Sequence, residues 1–141
     1  MRTISFALLF VAVLAVSGAN AATKNGLPPS EQLLFLAIDA LFQANERPPN
    51  ITPQANVDRI KPLMRQVVEA GAKADRAELN SLYPELGDHF LDDAVANARY
   101  ILQFLDTRDD DAIIRAGAAF LRWQKWWVAN KKMATGAIFN R

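Results

Sequence analysis

The sequence predicts an all-α fold: a small antiparallel helical bundle of four main helices plus one short helix. Three observations carry this expectation. Apolar residues recur at three- and four-residue spacing from about residue 31 to residue 134. No stretch alternates apolar and polar residues with period two over a useful length. Helix start and stop signals divide the run at short intervals, and short connections make neighbouring helices antiparallel.

Each element has its own local cause. Ser30 is a good N-cap for a first helix at about 31–44, in which LLFLAIDALF is apolar except for Asp39. A helix that is apolar all round belongs at the centre of its fold. Pro48-Pro49 marks a loop, and Thr52-Pro53 opens a second helix with a cap followed by proline at the first helical position. This helix runs to about Ala72 and turns Val57, Ile60, Met64, Val67, Val68 and Gly71 to one face; Pro62 sits opposite, where it should kink the helix. Asp75 caps a short third helix at about 76–82, which ends before Tyr83-Pro84 because the residue before a proline disfavours helix. A fourth helix spans about 85–106, with an apolar stripe from Phe90 through Leu105. Thr107 or Asp109 caps the last helix, at about 110–134. Its predicted core face is Ile113, Ile114, Gly117, Phe120, Leu121, Trp127 and Val128, and Thr135-Gly136 is its expected end.

The N-terminus has the three parts of a secretory signal. Met1-Arg2-Thr3 is basic, Ile4–Val16 is apolar apart from Ser5, and Ser17–Ala21 is a run of small residues ending in Ala19-x-Ala21. The expected organisation is a cleavable signal peptide, 1–21, followed by a single helical domain, 22–141. A retained anchor is the rival reading, but the apolar run is shorter than the roughly 20 residues a spanning helix needs. The protein is therefore expected to be exported, either periplasmic or secreted. The chain has no cysteine, which excludes a disulfide framework, thiol catalysis, covalent haem and thiolate metal sites. Removing Arg2 with the signal leaves 15 bases and 15 acids, so bulk charge indicates no nucleic-acid partner. The charge is nonetheless uneven: residues 75–111 hold ten acids and three bases, and residues 112–141 hold six bases and no acid.

No catalytic or cofactor motif is present, and no cofactor is expected. Four groups remain to be weighed. Asp109-Asp110-Asp111 at the start of the last helix and Lys131-Lys132 near its end complement the helix dipole. The aspartate run lacks the alternation and glycine of a calcium loop. Glu85, Asp88, His89, Asp92 and Asp93 form an acidic cluster around the only histidine. Glu85, Asp88, His89 and Asp92 are candidate metal ligands at four-residue spacing, but a solvated first turn off the apolar stripe explains them as well. Asp39, alone in its apolar run, needs a basic partner such as Arg65, Arg99 or Arg115, or else lines a cavity between helices. Arg122, Trp123, Lys125 and Trp126 belong to the stretch FLRWQKWW. There Trp127 and Phe120 are assigned to the core, Trp123 to its edge and Trp126 to the far side beside Arg122. Asn50-Ile51-Thr52 fits a glycosylation pattern, but the following Pro53 disfavours its use.

The functional expectation is an exported, non-enzymatic binding module that uses this aromatic-basic face of Arg122, Trp123, Lys125 and Trp126. Its partner would be a protein or a cell-envelope component, with peripheral membrane contact and homodimerisation as further possibilities. The alternatives are a metal binder or enzyme using Glu85, Asp88, His89 and Asp92, and a small-ligand carrier with a cavity between helices.

Overall fold

A computed structural model describes residues 29–139, all of whose regular structure is helical. The expected signal segment, its cleavage site and the lead-in up to residue 28 lie outside the described residues. Helix α1 spans Pro29–Asn45, α2 Pro53–Lys73 and α3 Arg76–Leu82. Helix α4 (Leu86–His89) passes through a π-helical segment (Phe90–Val95) into α5 (Ala96–Thr107) with right-handed helical backbone at each junction. Helix α6 spans Asp110–Phe139. The all-α helical bundle follows the expected order, with one short helix between the longer ones.

The caps read from sequence form as hydrogen bonds. Thr52 Oγ1 accepts from the Ala55 amide at 3.2 Å, and Asp75 Oδ1 from the Glu78 amide at 2.9 Å. Asp109 Oδ1 accepts from the Asp111 amide at 3.0 Å, so it caps α6. Ser30 differs from its expected role. It lies within α1, buried, and its hydroxyl accepts from the Asp75 amide at 2.8 Å, tying the first helix to the start of α3. The end of α1 is held from α2, where the Arg59 guanidinium donates to the carbonyls of Gln43 and Ala44. These carbonyls would otherwise lack partners at a helix C-terminus.

Leu34, Ile38 and Leu41 of α1 join Met64 and Val67 of α2, Leu79, Leu86, Phe90, Val95, and Trp123 and Trp127 of α6 in one core. Helix α2 approaches the π-helical segment at Gly71, where a Cβ would lie 2.6 Å from both γ-carbons of Val95. Glycine is required at this crossing because side chains in a packed interior have no room to retreat.

The last helix departs from expectation in two ways. It does not end at Gly136 but continues to Phe139, because its last turn has tertiary partners. Ile138 is buried, and the Phe139 ring stacks on Phe35 with centroids 5.2 Å apart. The second departure is its orientation. The inner face is Ala112, Ala116, Ala119, Trp123, Trp127, Ala134 and Ile138. Ile113, Ile114, Gly117, Leu121 and Val128, expected in the core, are exposed. The physical reason is the alanine row. Small residues let two helix backbones approach closely, and α6 presents Ala112, Ala116 and Ala119 to its neighbours rather than its larger aliphatic side chains. Asn97 of α5 reaches across to donate to the Ala116 carbonyl at 2.7 Å.

Candidate functional site

The polar residues singled out from sequence fall into two structural groups with different partners. Helix α3 and the α4–π segment share the first. The Arg76 guanidinium donates to Asp88 Oδ1 at 2.7 Å and to Asp92 Oδ1 at 2.8 Å. These hydrogen bonds hold both carboxyls below the usual carboxylate range, and the guanidinium is correspondingly harder to deprotonate. Glu85 stands apart. It is exposed, has left-handed backbone at φ 66° and precedes α4, so it does not share a helical face with His89. Among the described residues no group of three or more histidine and acidic side chains is placed to hold a metal ion. Asp88 and Asp92, two of the candidate ligands, are both bound to Arg76.

The second group lies between the π-helical segment and α6. Asp93 Oδ2 is 2.7 Å from His89 Nδ1, and Asp93 Oδ1 accepts from Arg122 Nε at 2.9 Å. The Asp93 side chain is only 8% exposed, against 56% for Arg122. The expectation that this whole acidic cluster faces water therefore fails for Asp93 and half-buried His89. A π-helical turn holds more residues than an α-turn, so it shifts the phase of the helix. The buried arc accordingly includes Asp93 together with Phe90, Ala94 and Val95.

The His89 ring stacks on Trp126 with centroids 4.8 Å apart and planes 20° from parallel. Tyr83 meets the same indole edge-on at 6.0 Å, and its hydroxyl donates to Asn130 Oδ1 at 2.9 Å. Trp126, expected on the exposed far side, is thus half-buried and packed against the core. Trp123, expected at the edge, is fully buried and stacks on Trp127 at 5.3 Å. The cause is the same rotation of α6 that its alanine row imposes. Of the four residues in the predicted aromatic-basic face, only Arg122 and Lys125 are exposed. Among the described residues, Trp123 Nε1 and Asn97 Oδ1 are buried without a hydrogen-bond partner.

Asp39 is half-buried and accepts from Gln43 Nε2 at 2.6 Å, one turn along α1. Neither Arg65, Arg99 nor Arg115 forms an ion pair with it. Burial pushes its carboxyl above the usual range, partly offset by the Gln43 bond. Glu31, which sequence reasoning did not single out, is fully buried in the first turn of α1. Its place beside the predicted cap Ser30 gave no signal of burial.

The outer surface of α6 is the other unexpected feature. Ile114, Leu121 and Val128 are 68%, 64% and 60% exposed and lie one above the other along the helix. Lys125 and Lys132 flank them, also exposed. No described helix is long and apolar enough to cross a membrane. Comparison with protein-family models, with curated proteins and with solved structures finds no match to this chain.

Proposed function

We propose that the protein is an exported, non-enzymatic interaction module whose contact surface is the outer face of α6. One observation carries the reading: three large aliphatic side chains, Ile114, Leu121 and Val128, are more than half exposed in line on one helix. Single exposed apolar residues are ordinary, whereas large apolar residues aligned on one helix face among polar neighbours, here Gln124 and Lys125, point to an interaction site. Lys125, from the aromatic-basic stretch, lies on this face, and Arg122 borders it. The Trp123 and Trp126 rings pack on the opposite, core-facing side of the helix. Export is supported by the signal pattern at residues 1–21. N-terminal sequencing of protein from the extracytoplasmic fraction should begin at Ala22.

The acidic residues near His89 have partners within the chain. Arg76 takes up Asp88 and Asp92, and Arg122 and His89 take up Asp93. The test is a photo-crosslinking amino acid placed at Leu121 in the producing cell, with exposed Arg65 of α2 as the control position. Adducts are expected from Leu121 and not from Arg65. Equal yields at both positions would overturn the contact surface.

A further inference from the structure

We infer that the occupant of this face is a second copy of the chain, laid antiparallel along α6 about a two-fold axis at Leu121, an assignment that rests on the contact-surface reading above. The register is written in the residues. Ile114 and Val128 lie seven positions to either side of Leu121, and Asp110 and Lys132 lie eleven positions to either side. At about 100° per residue, all five fall within an arc of about 40°. All five are exposed. The line is about 33 Å long at 1.5 Å per residue, apolar at its centre, acidic at one end and basic at the other.

A two-fold interface brings one patch against itself, so each residue must suit its mate across the axis. Turning this line end for end sets Leu121 against the partner's Leu121, Ile114 against the partner's Val128, and Asp110 against the partner's Lys132. The last two contacts each occur twice. A parallel pair would instead set aspartate on aspartate and lysine on lysine at the two ends. Charge complementarity therefore selects the antiparallel arrangement and the register together. Neither Asp110 nor Lys132 forms an ion pair within its own chain among the described residues. Beside the central leucine, Gly117 has nothing within 4 Å of where a Cβ would stand, and Ala118 follows it. This gap admits the close approach of a second helix. It faces Lys125 in the same register, whose aliphatic stem can lie over the small residues while the ammonium reaches water.

The lack of cysteine makes the test direct, because any engineered thiol is the only one present. The protein is purified as its cell processes it, and its mass is followed by sedimentation equilibrium over a concentration series. A reversible dimer is expected. Under mild oxidation Leu121→Cys should form a disulfide-linked dimer in high yield. Ile114→Cys alone should not, whereas Ile114→Cys mixed with Val128→Cys should form the mixed dimer. Self-linkage of Ile114→Cys as efficient as that of Leu121→Cys would mean parallel pairing and overturn the proposal. Asp110→Lys and Lys132→Asp should each weaken self-association about tenfold or more at low salt. Mixing the two variants should restore it, since both ends of the mixed pair are then complementary. A mixture no tighter than either variant alone also overturns the proposal. A wild-type monomer at every concentration overturns it too, and anionic lipid vesicles then separate the two levels of the argument. Vesicle binding that Leu121→Glu abolishes would leave the contact surface standing with a membrane as its occupant. A monomer that neither binds vesicles nor gives Leu121 adducts would remove both readings.

Discussion

Trp126→Ala tests whether the tryptophan cluster is internal architecture or exposed recognition surface. The indole is half-buried, stacked on His89 at 4.8 Å and met edge-on by Tyr83 at 6.0 Å. Truncating a fully buried tryptophan costs about 3–5 kcal/mol, and half of that burial corresponds to about 2 kcal/mol. An aromatic pair adds about 0.5–1.5 kcal/mol beyond its area. The expected loss is therefore about 2.5–3.5 kcal/mol, a lowering of the melting temperature by about 10–14 °C for a domain of this size. Urea unfolding of wild type, Trp126→Ala and Trp127→Ala, with unchanged m-values, is the measurement. Trp127, which is 1% exposed, should cost more than Trp126. Trp126→Phe keeps a ring against His89 and should recover most of the loss. A change below about 0.5 kcal/mol in Trp126→Ala is the size of an ordinary surface substitution. That result would refute the packing described here and return Trp126 to the set of candidate partner contacts.

Other substitutions probe the polar joints. Asp93→Ala removes the shared acceptor of His89 and Arg122. Because Arg122 is more than half exposed and can rehydrate, the expected loss is about 2 kcal/mol rather than the sum of two charge-assisted bonds; chemical denaturation reads it, and Asp93→Leu should cost as much as Asp93→Ala if orphaned partners rather than lost volume dominate. Gly87→Ala places a Cβ 2.5 Å from the Arg76 carbonyl oxygen, a backbone atom, so a clear drop in melting temperature is expected, and an unchanged one would contradict the α3–α4 approach. Burial raises the Asp39 carboxyl above 3.8, so it favours folding below that value and loses this contribution as pH rises through its folded value. Asp39→Asn should accordingly match wild type near pH 3 and exceed it in thermal stability at neutral pH. Asp88 and Asp92 carry the opposite sign: Arg76 lowers both, so their contribution is present above 3.8 and fades as pH falls through their lowered values. Arg76→Gln should lose that acid-sensitive contribution, and the gap from wild type should shrink in high salt.

The sequence by itself determined the helical class, the order of the elements and most of their starts. Those follow from short-range physics: a threonine or aspartate side chain reaching an amide two or three residues on, a proline at a first turn, a repeat at helical spacing. It also drew attention to the acidic cluster and the tryptophans, but not to their orientation or their partners. Orientation belongs to the tertiary structure, because α6 is apolar on two opposite faces and its sequence cannot say which one is buried. The large aliphatic residues gave the stronger signal, yet close packing against α5 selected Ala112, Ala116 and Ala119. That choice turned Trp123 and Trp126 inward and left Ile114, Leu121 and Val128 in solvent. The π-helical turn was equally hidden, since its extra residue per turn comes from how Phe90–Val95 packs rather than from a local cap. Its phase shift brought Asp93 to Arg122 across 29 residues of chain. Arg76 claimed Asp88 and Asp92 from a different helix in the same way. Such pairings are contacts between separate elements, and spacing along one helix carries no record of them.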